Sequence, residues 1–175
     1  MPLALRHRDD PPSVREPLSG LVVERETNAT LMAAVQGTAE EEIERRFAAG
    51  HRAYLAWWTG WPAAWGWVAT RSAEIGELGC TFRIPEGERY LWNFVTLPAH
   101  RGKGIYPRLL DAIIHAESME AEGFWIAYAP ENHASGAGIR KAGFATVAEL
   151  SFDTAGRPAV RSLEVGGGAA ATRLL

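Results

Sequence analysis

Two periodicities divide this chain. Residues 21–26, 52–59, 64–71, 76–84 and 90–97 are short runs rich in aromatic and β-branched side chains, and Gly60, Pro62 and Pro85-Glu86-Gly87 punctuate them. Such runs read as strands, and their succession predicts an antiparallel meander. Helical spacing appears between the first two, where Ile43 and Phe47 share a face, Thr38 with Glu41 predicts a capping box and Gly50 ends the element. A second helix is predicted over residues 105–121: Ile105, Leu109 and Ile113 form one stripe, Leu110 and Ile114 lie beside it, and Gly123 closes it. A strand at 124–129, a helix at 133–142 and strands at 144–152 and 158–164 complete the order. An antiparallel half joined to a β-α-β-α-β half predicts a mixed α/β (α+β) domain.

The ends read differently. Asp9-Asp10-Pro11-Pro12 and Pro17 mark residues 1–19 as an extended N-terminal arm, and GGGAAATRLL at 166–175 is a low-complexity C-terminal tail. The domain proper is expected over 20–165, with no internal repeat. At 47% apolar and 22% charged residues the chain reads as globular and soluble. No stretch approaches the ~20 apolar residues of a membrane span, and the apolar run in MPLALRHRDD is too short for a secretory signal. The expected setting is cytoplasmic, with no membrane partner. A net charge of −3 argues against nucleic acid as a partner. Cys80 is the only cysteine and reads as a buried thiol, and the five histidines lack ligand spacing, so no metal is expected. The basic residues are almost all Arg; the two lysines are Lys103 and Lys141.

Candidate chemistry concentrates in LWNFVTLPAHRGKGIYPRLL, residues 91–110. A run of strand length ends at Pro98, passes through Arg101-Gly102-Lys103-Gly104 and enters the 105–121 helix. Gly102 and Gly104 allow a tight turn and close approach of a ligand, and a helix start leaves the amides from Gly102 to Tyr106 unpaired. With the helix dipole and the charges of Arg101 and Lys103, this is a cradle suited to a pyrophosphate. A strand-to-helix turn with glycine present only for geometry is the structural alternative. Neither a Walker A loop nor a dinucleotide fingerprint fits the spacing.

The segment resembles motif A of the GNAT superfamily of N-acetyltransferases, Arg/Gln-x-x-Gly-x-Gly/Ala, with Arg101 and Gly104 matching and Tyr106 in the final small-residue position. Residues 132–144, NHASGAGIRKAGF, resemble the family's motif B through Asn132, Ser135, Lys141, Gly143 and Phe144, but Ile139 stands where many members carry a general-acid Tyr. The resemblance implies the GNAT acyl-CoA N-acyltransferase fold, a central mixed but mostly antiparallel sheet of about seven strands flanked by helices. It implies acetyl-CoA as co-substrate, bound by Phe94, Val95, Leu97, Arg101, Gly102, Lys103, Gly104, Ile105, Tyr106, Asn132 and Ser135. Asn132 equally suits an ordinary helix N-cap.

The implied reaction is transfer of an acetyl group to a primary amine of a small-molecule or peptide acceptor, directly within a ternary complex. The strand carboxylate used as base by many relatives is replaced by Trp92 and Asn93, so Glu77 on the preceding strand is the candidate base and Glu74 a weaker one. Ser135, Tyr128 and Tyr106 are the hydroxyls near motif positions; Asn93 and Ser135 join Glu77 as candidate catalytic residues. An acyl-CoA-binding module with weak or no turnover is the alternative, and an unrelated phosphate-binding α/β enzyme is a third. Trp57, Trp58, Trp61, Trp65 and Trp67 crowd together, with Trp65 and Trp67 on one strand face. Core packing explains them, and an acceptor pocket or a homodimer interface are the rival explanations.

Overall fold

The computed structural model of the chain describes residues 1–13, 16–75, 79–153 and 158–163, with the side chains of Cys80 and Pro158 outside the description. In chain order the strands are β1 (Pro2–His7), β2 (Leu21–Glu26), β3 (Arg52–Trp58), β4 (Trp61–Ala69), β5 (Ser72–Ile75), β6 (Cys80–Arg83), β7 (Glu88–Thr96), β8 (Gly123–Ala127), β9 (Ala145–Phe152) and β10 (Pro158–Ser162). The helices are α1 (Ala29–Gln36), α2 (Glu40–Ala48), α3 (Ile105–Glu117) and α4 (His133–Lys141). Eight strands form one sheet in the order β10-β9-β1-β8-β7-β4-β3-β2, and β5 and β6 form a separate hairpin. Every neighbouring pair in the large sheet is antiparallel except β7 and β8. A parallel pair requires a crossover, and α3 supplies it.

Alternation along β4 divides the core. Trp65 and Trp67, 7% and 0% exposed, pack with Met32 of α1 and Ile43 of α2 on one face, which accounts for those two tryptophans as core. Val68 and Ala64 face the other way, onto Leu109, Leu110 and Ile113 of α3 and Ile139 of α4. The predicted stripe of α3 is therefore its buried stripe. No helix among the described residues is long and apolar enough to cross a membrane.

Three expectations are corrected. The arm expected over residues 1–19 begins as a central strand: β1 lies between β8 and β9, with Leu3 and Ala4 fully buried. Leu3-Ala4-Leu5 is apolar on both faces because the sheet is covered on both, so it shows no alternation. Of the single strand expected at 76–84, residues 76–78 lie outside the described residues, and the described part holds β6, paired with β5. The meander is thus interrupted by a hairpin whose Ala73, Ile75 and Phe82 pack on Tyr90 and Trp125. Thr38 forms no capping box: α2 starts at Glu40 behind Ala39, which has no side-chain cap bond. Glu40, Glu41 and Glu42 in its first turn offset the dipole instead. The side-chain cap belongs to α1, where Asn28 accepts from the Leu31 amide at 3.0 Å.

A buried ionic cluster fixes the end of α3 to the sheet. The Glu117 carboxylate accepts from Arg52 Nη1 (2.6 Å), Arg89 Nε (2.8 Å) and Tyr54 Oη (2.7 Å), and Glu120 accepts from the same two arginines at 2.6 and 3.1 Å. Burial alone would raise the Glu117 pKa, but the bonds from Arg89, Arg52 and Tyr54 outweigh it and hold the group below the usual carboxylate range.

Candidate functional site

The site begins with a broken pairing. β7 runs beside β8 only from Glu88 to Leu91, opposite Gly123 to Ile126. Past that point the strands part, and the cause lies in β7. Asn93 has φ 50°, and the register with β4 slips so that Asn93 and Phe94 both stand against Gly66. This is a β-bulge, and Asn is among the few side chains that tolerate the left-handed region. Gly66 accommodates it: a Cβ there would sit 2.0 Å from Phe94 Cε1.

A cleft of about 960 Å³ opens on one side of the gap, between the end of β7, the turn before α3, and α4. A pocket of about 710 Å³ opens on the other, between α2, the β5–β6 hairpin, β7 and the end of β8. Phe94 lines the first and Asn93 the second, so the two spaces meet across one peptide of β7.

The first cleft contains most of the residues expected to bind the co-substrate. Phe94, Val95, Arg101, Gly102, Gly104, Ile105, Tyr106, Asn132 and Ser135 line it, together with Lys141. Gly102 and Gly104 have φ of 77° and 70°, and among the described residues the amides from Gly102 to Tyr106 find no backbone acceptor outside the helix. Five donors thus stand without a backbone acceptor around the start of α3, beside the cleft, where an anion would be favoured.

Some expected members stand elsewhere. The Arg101 amide donates to Pro98 O at 3.3 Å and its Nε to Thr96 O at 3.1 Å, so Arg101 belongs to the turn as well as to the cleft wall. Lys103 Nζ lies 4.3 Å from the Trp58 ring centroid, away from the cleft lining. The Leu97 amide donates to Ala63 O at 2.9 Å, which turns its main-chain donor, and by alternation that of Val95, toward β4. The main-chain groups that face the gap are those of Phe94 and Thr96, and not that of Leu97. Only the register with β4 reveals this one-residue offset. Asn132 is the N-cap of α4, its Oδ1 accepting from the Ser135 amide at 3.0 Å. Glu77 lies outside the described residues.

Tyr106, in the small-residue position of motif A, has a compensating partner. A Cβ on Gly138 of α4 would lie 2.4 Å from Tyr106 Cδ1, so the ring fills the space that glycine leaves. Its hydroxyl is 3.4 Å from Ser135 Oγ, and burial pushes its pKa up to about 12. Ile139 is fully buried in the core under α3.

The model of the acetyltransferase (GNAT) domain matches residues 19–145, well over half of the chain. The chain belongs to the GNAT acetyltransferase family. Solved structures agree at the level of fold. A GCN5-related N-acetyltransferase from Kribbella flavida is 18% identical with a TM-score of 0.56 over 83% of this chain, which spans only 53% of the Kribbella chain. The aminoglycoside 6'-N-acetyltransferase AAC(6')-Ig from Acinetobacter haemolyticus is 18% identical, with a TM-score of 0.53 over 76% of this chain and 97% of its own. A GNAT acetyltransferase from Elizabethkingia anophelis, solved with acetyl-CoA bound, is 12% identical with a TM-score of 0.56 over 78% of this chain and 83% of its own. No curated protein matches the chain in sequence.

In this GNAT domain the second pocket carries residues that motif reading did not single out. Glu42, Arg45 and Arg46 of α2 and His51 line it, opposite Glu74 of β5 and Tyr128 after β8. Their signal in the sequence was weak, because charges on a short helix read as a solvated face. Trp92 lines it too, donating from Nε1 to His51 Nδ1 at 3.2 Å. Tyr128 also packs on α4, where a Gly136 Cβ would lie 2.7 Å from its ring. Burial and the neighbouring Arg46 lower the His51 pKa, which keeps the imidazole neutral at pH 7.

Proposed function

We propose that the chain is an acetyl-CoA-dependent N-acetyltransferase that moves the acetyl group to a primary amine by direct transfer in a ternary complex. The observation that carries this reading is the gap between β7 and β8, with a cradle-bearing cleft on one side and a side-chain-lined pocket on the other. A thioester held through the first and an amine held in the second would meet at Asn93 and Phe94. The pyrophosphate of CoA fits the free amides of Gly102 to Tyr106, and its pantetheine arm the main-chain groups of Phe94 and Thr96 that face the gap. A fixed amide on β7 polarises the acyl carbonyl as an oxyanion hole does.

In the transfer the amine lone pair forms the new C–N bond to the acyl carbon, the C–S bond breaks, and sulfur leaves with the electron pair as thiolate. The proton lost by the amine passes to Glu74, directly or through water, or to solvent. Glu74 takes the role considered for Glu77 because it lines the acceptor pocket. With Ile139 in the core, the hydroxyl that lies on the acceptor side and against α4 is that of Tyr128, and it is the proposed proton donor to the thiolate.

Thermal unfolding with acetyl-CoA, CoA, ATP and NAD, followed by thiol release over a panel of amines, tests the reading. Stabilisation by acetyl-CoA and CoA alone, with thiol release that depends on an amine, is the expected result. Tight acetyl-CoA binding with no release for any amine would make the chain an acyl-CoA-binding module.

A further inference from the structure

The acceptor pocket is electrically divided. On the α2 side, Arg45 and Arg46 share the single carboxylate of Glu42: Arg46 Nε donates to Glu42 Oε1 at 2.8 Å, and Arg45 pairs with the other oxygen. Two cations against one carboxylate leave a positive excess. Arg46 is also largely desolvated. Its side chain is 18% exposed, its guanidinium carbon lies 4.8 Å from the Trp92 ring centroid and 5.0 Å from that of Trp67, and its Nη1 is buried without a hydrogen-bond partner. Burial and the charge of Arg45 lower the Arg46 pKa, the mark of a cation short of counter-charge. His51 adds a donor: with Nδ1 accepting from Trp92, the ring proton sits on Nε2. The opposite side holds Glu74 and the bulge residue Asn93, with Ile75 and Tyr90 also in the lining.

We infer that the acceptor is an amine that carries an oxyanion, carboxylate or phosphate, on the same molecule, held by the Arg45–Arg46 pair while its amine is presented between Glu74 and Asn93. This rests on the acetyl-transfer reading and narrows it. A planar guanidinium fork recognises either oxyanion. A polycation of the aminoglycoside kind would meet Arg45 and Arg46 and find, among the described residues, only the Glu74 carboxylate unpaired, so the pocket selects against it.

Calorimetry on the CoA-saturated protein tests this without requiring turnover. The probes are phenylalanine against 2-phenylethylamine, 3-aminopropyl phosphate against 3-aminopropanol, and kanamycin. The anionic member of at least one pair is expected to bind about 10-fold or more tighter than its neutral partner, the scale of one charge-assisted hydrogen bond, and the pair that shows the preference identifies the oxyanion. Arg46→Met should abolish the preference. Arg46 packs on two tryptophans, so two further variants guard against misfolding: Arg45→Ala, at a 75% exposed side chain, should reduce the preference, and Glu42→Gln should enlarge it. Equal binding within both pairs, or kanamycin binding tightest, would overturn the inference. Thiol release from acetyl-CoA separates the two levels. Release with neutral amines and no anion preference would leave the transferase standing and remove this inference; anion preference without release for any amine would overturn both, the bound amine then being a ligand and not an acceptor.

Discussion

Gly104 and Gly138 show how the absence of a single Cβ sets the cleft. At φ 70°, Gly104 is in a region that costs an L-residue about 1–2 kcal/mol, and a Cβ there would sit 2.6 Å from Arg108 Nη1. Gly104→Val should therefore weaken CoA binding more than Arg101→Ala, as calorimetry would show; unchanged affinity for the valine variant would contradict the cradle. Gly102→Ala isolates backbone strain, because its Cβ meets nothing within 4 Å. For Gly138 the sign of the effect is informative. Gly→Ala inside a helix ordinarily stabilises by about 1 kcal/mol, yet here the new methyl would strike Tyr106. Gly138→Ala should destabilise by about 1–3 kcal/mol, as overpacking does, and should become stabilising in a Tyr106→Ala background. Equilibrium unfolding of the four proteins closes that double-mutant cycle. Tyr128→Phe should lower kcat roughly 100-fold, the low end of the contribution of a positioned acid, with little change in KM. An unaltered kcat would move the acid role to Ser135 or to water.

The element that organises the site is β7. Its first half pairs with both β4 and β8, its second half keeps β4 but parts from β8, and Asn93, Phe94 and Gly66 mark the change. Gly66→Ala should force Phe94 out of its place and close or distort the gap, so acetyl-CoA affinity should fall along with stability; a variant with full affinity would show that the bulge does not shape the cleft. The site was legible in the sequence where it depends on local backbone: the glycines of the cradle, the start of α3 and the Asn132 cap were all readable from spacing. What depends on pairing was not. Thr96 faces the gap instead of Leu97 because of how β7 registers on β4, and Asn93 gave no sign of its left-handed backbone. The same limit explains β1, whose partners β8 and β9 lie over a hundred residues away, and β5, too short at Ser72–Ile75 to show a period.

Across the whole molecule, Glu117 links α3, which begins at the cradle, to β3 through Arg52 and Tyr54 and to β7 through Arg89. Its folded pKa is depressed, so its contribution is present above the unfolded carboxylate value of about 4.3 and is lost as pH falls through the lower folded value. Glu117→Gln breaks a buried pair and should cost on the order of 3 kcal/mol at pH 7, a fall in Tm of roughly 6–12 °C for a chain of this size. The gap between wild type and variant should narrow as the medium is acidified below about pH 4. A gap independent of pH would place the effect in packing rather than charge.

Direct transfer requires the two spaces flanking β7 to exchange an acetyl group across the gap. The direct measurement is a single turnover: protein loaded with acetyl-CoA and no excess is mixed with a pool of amines, and the masses of amine and protein are read together. Acetylated amine is expected in proportion to CoA released, with the protein mass unchanged throughout. Acetyl found on the protein, or CoA released without any acetylated amine, would contradict direct transfer.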